Sequence, residues 1–179
     1  MTPFYTRKGD DGLTGLLGDG RLPKFDLRMD AIGALDEATA FLGLARTLCI
    51  SEGTPELILE LQRSLYQLMA EAASTSETAN QFLFATPEQI QILEGHIERL
   101  TIQVKMPREF IVSGDSQAQA ALDIARTVVR RAERKMAAML DRGDVQNYYL
   151  LAYLNRLSSL LFVMSLFELQ FPPTTAKQP

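Results

Sequence analysis

The feature that most constrains the fold of this 179-residue chain is an apolar stretch near its C-terminus, from Tyr148 to Phe171. Asn155, Arg156 and Glu168 interrupt it, and such polar groups are unfavourable in lipid. As a helix the stretch is apolar nearly all round, so it predicts a buried central helix rather than a membrane span. The rest of the chain then has to pack around that helix.

Four further segments carry apolar residues at helical spacing, whereas strand patterns are nearly absent. Thr86 as the N-cap, followed by Pro87 and Gln89, predicts the start of the third helix. We expect helices at about 27–48, 55–73, 86–103, 117–140 and 145–169. This pattern predicts an all-α, up-down five-helix bundle forming a single domain over residues 1–171, with 172–179 as a disordered tail.

A glycine-rich N-terminal segment, residues 1–25, precedes the first helix. Its five glycines, from Gly9 to Gly20, oppose both helix and strand and predict an ordered loop. Glycine allows backbone N–H groups to approach phosphate oxygens, and Lys8, Lys24, Thr6 and Thr14 add cations and hydroxyl groups. A phosphate-binding loop and a flexible lead-in are both open from the residues alone.

The fourth helix carries a basic stripe. Arg126, Arg130, Glu133 and Arg134 stand at i, i+4, i+7 and i+8, which places them on one helix face. Three cations with one carboxylate leave positive charge uncompensated, and guanidinium groups bind phosphate oxygens in pairs. The stripe is compatible with a polyphosphate site, and a solvated helix surface is the open alternative.

Polar residues on two other helices need partners. Asn155 is a lone amide within an apolar helix, and burying it unpaired would cost about 1–3 kcal/mol. It either faces a ligand or bonds a neighbouring helix. Asp36 and Glu37, on the first helix, are either surface carboxylates or partners of an arginine on the fourth helix.

Charge and cysteine content limit the functional classes. A net charge of -4 disfavours a nucleic-acid partner. The single cysteine, Cys49, excludes an intrachain disulfide and is expected to be a buried apolar residue at a helix end. With one histidine, His96, a His/Cys metal cluster is excluded. With no apolar leader, these features predict a cytoplasmic protein without a membrane partner.

Three blocks, in this order, resemble the PduO-type ATP:cob(I)alamin adenosyltransferases over nearly the whole chain. They are YTRKGDDGLTGLLGDGR with Lys24 and Arg28 following, GALDE in the first helix, and ARTVVRRAER with YLNRLSSLLF. The resemblance implies a homotrimeric five-helix bundle with sites between subunits. It also implies transfer of the 5′-deoxyadenosyl group of ATP to the cobalt of reduced cobalamin, with release of triphosphate. Mg²⁺ would accompany ATP, and its protein ligands are unassigned.

The resemblance also implies roles for particular residues. Phe110 would help to displace the lower axial ligand of cobalamin, and Asp36 would pair with Arg130 across the subunit interface. A flavoprotein reductase and an adenosylcobalamin-dependent client enzyme would be partners. The implied ATP-binding residues are Thr6, Arg7, Lys8, Gly9, Thr14, Gly15 and Lys24 from one subunit, and Arg126, Arg130, Arg131, Glu133, Arg134 and Asn155 from the other.

The chain departs from the family pattern on segments expected to face the corrin. Thr39 stands for an Asn, Ser113-Gly114-Asp115 for Pro-Gly-Gly, Asp123 for a His and Ser159 for an Asp. The ATP-side residues match the pattern. The departures therefore predict an effect on corrin affinity or turnover more than on ATP binding. They also motivate an alternative, a non-catalytic trimer that binds ATP or adenosylcobalamin as a sensor or carrier.

Overall fold

A computed structural model describes Tyr5 and residues 7–171 of the chain. Within that range the chain forms five α-helices in an up-down bundle, which confirms the predicted fold class. Thr6 and the expected tail at 172–179 lie outside the described residues. The elements are β1 (Leu13–Gly15), β2 (Arg21–Pro23), α1 (Leu27–Leu48), α2 (Thr54–Ala73), a short 3-10 turn (Ala79–Gln81), α3 (Pro87–Thr101), α4 (Gln117–Arg142) and α5 (Tyr149–Glu168).

Side-chain caps fix where three of the five described helices begin, namely α1, α3 and α4. The Thr86 hydroxyl accepts a hydrogen bond from the backbone N–H of Gln89 at 3.4 Å, so α3 starts where the sequence predicts. Ser116 caps α4 in the same way, and Asp26 caps α1. At its other end α4 runs two residues beyond the predicted limit and stops at Gly143, whose φ of 79° is favourable only for glycine.

The helices pack so that α1 lies between α2 and α4, while α5 lies between α4 and α3. Helices α1 and α4 are antiparallel. Asp30 pairs with Lys135, whereas Glu37, later in α1, pairs with Arg131, earlier in α4. The core between them is mostly leucine and alanine. Cys49 is buried directly after α1, as expected.

Helix α5 is buried, as its composition predicts, but it is not the middle helix of the bundle, because α4 lies between α1 and α5. By length and composition alone the helix could cross a membrane. However, 61% of its apolar 18-residue stretch is buried inside the bundle. It begins at Tyr149 rather than 145. The reason is Asn147, whose Nδ2 donates to Glu71 at 2.6 Å and to the Ala85 carbonyl at 2.8 Å. Those bonds hold the preceding residues outside the helix.

The prediction that the N-terminal glycines oppose strand is wrong for two short stretches. β1 and β2 form an antiparallel hairpin, with Leu13 opposite Pro23 and Gly15 opposite Arg21. Gly18 and Gly20 lie between the strands with φ of 138° and 110°, values that other residues rarely adopt. Because these glycines supply the turn, they allow the flanking residues to pair.

The hairpin is attached to the C-terminal end of α2. The Leu17 N–H donates to the Ala73 carbonyl at 2.9 Å, and the Leu17 carbonyl accepts from the Thr75 N–H at 3.3 Å. Gly18 passes so close that a Cβ there would lie 2.2 Å from the Thr75 hydroxyl oxygen. These contacts hold the glycine-rich segment in a defined place on the bundle.

Candidate functional site

The basic stripe of α4 is present as predicted, and its three arginines differ in how they are held. Arg126 is half-buried. It is held in place, because its Nε donates to Asp123 at 2.9 Å and its guanidinium lies 5.9 Å from the Phe162 ring centre. Arg130 and Arg134 are exposed. Among the described residues neither has a hydrogen-bond or ion-pair partner. The stripe thus combines one fixed guanidinium with two that are available to an anion.

Glu133 belongs to a polar network between three helices. Asn155 on α5 donates its Nδ2 to Glu133 at 2.9 Å and accepts from Arg156 at 2.8 Å. Arg156 in turn donates to Glu94 on α3 at 2.8 Å. Of the two interpretations of Asn155, the structure shows the bond to a neighbouring helix. Its role toward a ligand stays a prediction.

On the side of α4 that faces α1, the cations Arg131 and Lys135 pair with carboxylates of α1. Arg131 bonds the Glu37 carboxylate within the same chain, so one of the two adjacent carboxylates does pair with an arginine of the fourth helix. Asp36 is exposed and has no hydrogen bond or ion pair within the part of the chain described here. Its predicted partner, Arg130, would belong to a second subunit.

In the N-terminal segment, Lys24 lies against the backbone of Gly9. A Cβ added at Gly9 would lie 2.9 Å from the Lys24 ammonium nitrogen, so the lysine side chain would have to shift if another residue stood there. The Lys24 N–H also donates to the Gly12 carbonyl at 2.9 Å. A cation and an uncovered stretch of backbone therefore share one location, the pairing that suits a phosphate group.

Arg21 clamps the same segment. Its guanidinium donates to both oxygens of Asp11 and to the Lys8 carbonyl, the latter at 2.5 Å. The Arg21 hydrogen bonds, with the Leu13 N–H, hold the pKa of the Asp11 carboxyl below its ordinary value. Arg7 lies over the Tyr5 ring, with its guanidinium carbon 5.3 Å from the ring centre. Thr14 and Gly15 lie in β1. Thr6 is outside the described residues.

Two clefts adjoin at Arg126. One, of about 330 Å³, is lined by Phe110, Asp123, Arg126 and Phe162 among others. The second, of about 360 Å³, is lined by Arg126, Arg130, Ser159 and Phe162. We refer to them as the aromatic cleft and the arginine cleft. Because Arg126 and Phe162 line both, an apolar surface and a cationic surface meet at the same side chains.

The described residues thus define a five-helix bundle in which an arginine-lined cleft adjoins one lined by aromatic residues. The chain matches the family model described as cobalamin adenosyltransferase over residues 4–168, and it belongs to that family.

Proteins of known activity are similar to this chain. It is 37% identical over 163 residues to the corrinoid adenosyltransferase of Bacillus subtilis, covering 89% of this chain and 82% of that protein. It is 35% identical over 163 residues to the corrinoid adenosyltransferase PduO of Salmonella typhimurium, covering 90% of this chain. That alignment spans 48% of the relative, so the chain corresponds to about half of it.

A solved structure is also similar in fold. It is a variant PduO-type ATP:corrinoid adenosyltransferase from Lactobacillus reuteri, complexed with cobalamin and ATP. The TM-score is 0.83 at 31% identity, covering 92% of this chain and 90% of the other.

The residues that depart from the family pattern occupy different environments. Thr39 is buried and its hydroxyl donates to the Leu35 carbonyl, so it is held within α1. Asp123 binds Arg126 inside the aromatic cleft, whereas Ser159 lines the arginine cleft. Ser113 also lines the aromatic cleft.

Sequence reasoning missed two contributions to these clefts. Phe162 lines both, but within an apolar helix nothing distinguishes it from a core residue. The Asp123–Arg126 ion pair was detectable, because the two residues stand at i and i+3 on one helix.

Proposed function

We propose that this chain transfers the 5′-deoxyadenosyl group of ATP to the cobalt of cob(I)alamin, giving adenosylcobalamin and triphosphate. The observation that carries the proposal is that Arg126 lines both clefts, so a polyanion and an apolar ring system would meet at one side chain. Membership of the cobalamin adenosyltransferase family supports the same reaction. The similar Lactobacillus reuteri structure holds cobalamin and ATP together.

The chemistry needs positioning more than it needs a reactive side chain. The Co(I) electron pair attacks C5′ of ATP, a cobalt–carbon bond forms, and the C5′–O bond breaks with its electron pair leaving on the triphosphate. Cobalt is thereby oxidised to Co(III). Because the nucleophile is the substrate itself, the protein has to align C5′ with cobalt, stabilise the departing charge and exclude water.

The stripe on α4 suits the charge that develops on the triphosphate. Arg130 and Arg134 would donate to phosphate oxygens, because their guanidiniums have no competing carboxylate among the described residues. Arg126, already fixed by Asp123, would stand where the phosphates approach the corrin. Glu133 and Asn155 would present a paired acceptor and donor to the ribose.

Arg131 differs from Arg130 and Arg134 because its guanidinium is already paired with the Glu37 carboxylate. In our proposal it adds to the positive potential of the site, and it would contact the nucleotide only if the bond to Glu37 opened. We propose Arg130, Asp36 and Phe110 as the catalytic residues, with Phe110 helping to displace the lower axial ligand of cobalamin.

The glycine-rich segment would bind the triphosphate from another subunit. Lys24 is two residues from Asp26, whose carboxylate binds Arg142 at 2.9 Å. Arg142 is twelve residues from Arg130, or about 18 Å along the helix axis. Within one chain the glycine-rich segment and the arginine stripe are therefore far apart along α4. A closed homotrimer would bring the glycine-rich segment of one chain next to the arginine stripe of its neighbour.

The residues of that segment that we propose to bind ATP are Thr6, Arg7, Lys8, Gly9, Thr14, Gly15 and Lys24. Asp36, which is exposed, would pair with Arg130 of the neighbouring subunit. We further propose Mg²⁺ as the companion of ATP, a flavoprotein reductase as electron donor, an adenosylcobalamin-dependent client enzyme and a cytoplasmic location.

A second candidate function is a non-catalytic carrier or sensor of ATP or adenosylcobalamin. The observation that favours it is the Asp123–Arg126 pair, which places a carboxylate inside the aromatic cleft. Because Asp123 compensates the charge of Arg126, that arginine would attract an anionic triphosphate less strongly.

One experiment separates the two functions. The protein is incubated with ATP, Mg²⁺, cobalamin and a strong reductant, and the visible spectrum is followed while triphosphate is assayed. Growth of the alkylcobalamin spectrum with an equal amount of triphosphate supports the transferase. Binding of ATP without either product would support the carrier, and reactions lacking protein or lacking reductant are the controls.

A further inference from the structure

The segment that carries Phe110 is attached to the bundle at its two ends. It joins α3 to α4, and its Phe110 side chain is 96% exposed. At the start, the Val104 N–H donates to the Thr101 carbonyl at 3.3 Å. Among the described residues no hydrogen bond or ion pair reaches any residue from Lys105 to Ser113. The hydrogen bonds that position the segment are therefore those at its two ends.

The attachment at the second end is a single buried side chain, Gln119. Its Oε1 accepts from the backbone N–H groups of Gly114 at 3.1 Å and Asp115 at 2.8 Å. Gln119 is fully buried and lines the aromatic cleft beside Phe110. One amide oxygen therefore joins the loop, the start of α4 and the wall of the cleft.

The ordinary capping box does not account for this amide, because its oxygen accepts from Gly114 and Asp115 rather than from the N–H of the N-cap residue Ser116. The N–H of Gln119 already donates to the Ser116 hydroxyl at 3.0 Å, which caps α4 without the Gln119 side chain. The amide cannot be reversed, because a reversed NH₂ group would face two N–H donors. Its Nε2 is consequently buried and has no partner among the described residues. The favourable contacts of the side chain are those that its oxygen makes to the loop.

We infer that Gln119 is a positioning residue that holds the Phe110 segment over the aromatic cleft. The inference rests on the proposed function, in which Phe110 displaces the lower axial ligand of the corrin. Gly114 is four residues from Phe110, so loss of the tether would release the ring over several ångströms. Released, the ring would still bind apolar surface but would no longer exclude the lower ligand from a fixed position.

The test compares Gln119→Met, which keeps the length of the side chain but has no oxygen acceptor, with Gln119→Glu, which keeps the acceptor. Gln117→Met is the matched control, because Gln117 is an exposed glutamine of the same helix turn. Each variant is assayed with cobalamin and with cobinamide, a corrinoid that has no lower nucleotide ligand to displace. The absorption spectrum of bound cob(II)alamin with ATP reports whether the lower ligand is displaced.

We expect Gln119→Met to lower the rate with cobalamin on the order of tenfold relative to the rate with cobinamide, because two hydrogen bonds to the loop are lost. The displaced form of cob(II)alamin should decline in parallel, while Gln119→Glu and Gln117→Met stay close to the parent. Equal losses with both corrinoids, or an unchanged displaced fraction, would overturn the inference. A parent protein inactive on both corrinoids would instead reject the proposed function.

Hydrogen exchange provides a test that does not require a variant to fold. In the parent protein the amide hydrogens of Gly114 and Asp115 should exchange more slowly than those of Glu109 to Val112, because only the former pair donates to a buried oxygen. Equal exchange rates across residues 109–115 would show that the tether is not formed in solution and would overturn the inference.

Discussion

Replacing Arg130 by alanine should separate binding of ATP from folding. Arg130 is exposed on the α4 stripe and lines the arginine cleft, and it has no hydrogen bond or ion pair within the described part of the chain. Within one chain, the described structure therefore loses no hydrogen bond or ion pair when the guanidinium is removed. The transition state loses the group that we propose to stabilise the departing triphosphate.

The two effects differ in size. An exposed substitution without partners changes the free energy of unfolding by no more than about 0.5 kcal/mol. For a chain of this length that corresponds to a Tm change of about 2 °C or less. A paired guanidinium–phosphate contact contributes about 3 kcal/mol, so kcat/KM for ATP should fall by a factor of about 100.

The assay measures kcat/KM for ATP from the growth of the adenosylcobalamin spectrum and the Tm from thermal unfolding. Lys135→Ala is the matched control, because it removes a cation from the same helix but one that bonds Asp30 on the α1 side at 2.6 Å. The control should keep the kinetics of the parent. If Arg130→Ala keeps the parent kcat/KM, or if its kinetics and stability fall together, the arginine is structural and the reasoning fails.

Three further predictions concern the corrin side, the core and alkaline pH. Phe110→Ala should reduce the fraction of bound cob(II)alamin whose lower axial ligand is displaced. Because the ring is exposed, Tm and the ATP dissociation constant should stay near those of the parent, and a large Tm change would contradict this. Glu71→Ala should lower the free energy of unfolding by about 3 kcal/mol in urea titrations, because the buried carboxylate accepts from the N–H groups of Phe84 and Ala85 and from Asn147. Glu60→Ala, on an exposed turn of α2, is its control and should change little. Burial, with Glu168 adding to it, raises the pKa of the Cys49 thiol from 9.0 to about 12, and burial raises that of Tyr153 from 10.0 to about 12. Between these pH values the unfolded chain releases protons that the folded chain keeps. The contribution of both groups to the free energy of unfolding should therefore be fully present below about pH 9 and decrease toward pH 12. Urea titrations at about pH 8 and about pH 11 would check this trend.

Local sequence predicts the helices well where it contains both a periodic apolar face and a cap. The predicted and observed limits of α1 agree, and Thr86 with Pro87 marks the start of α3. The sequence also predicts the basic stripe, since residues four apart on any α-helix share a face. Where a tertiary contact competes, local rules fail. Asn147 bonds Glu71 and Ala85, which shifts the start of α5 by four residues.

The N-terminal segment shows the same limit at a larger scale. Counting glycines indicates backbone freedom, but it does not distinguish a loop from a hairpin whose turns need that freedom. The pairing of β1 with β2 is supported by Arg21 bonding Asp11, ten residues away. It is also supported by Leu17 bonding Ala73, 56 residues away in the sequence. Such long-range bonds have no periodic signature in the chain.

What the sequence by itself determined is the set of elements and the charges that they carry: five helices, a buried apolar one among them, a glycine-rich segment and three arginines on one helix face. These follow from periodicity and composition, which are local properties. Only the tertiary structure decided which partners those charges have. In the folded chain Arg131 pairs with Glu37, Arg126 pairs with Asp123, and Asn155 donates a hydrogen bond to Glu133. Arg130 and Arg134 have no hydrogen-bond or ion-pair partner among the described residues. Each choice depends on which helices become neighbours, and that is settled by burial of the whole apolar core rather than by any one segment.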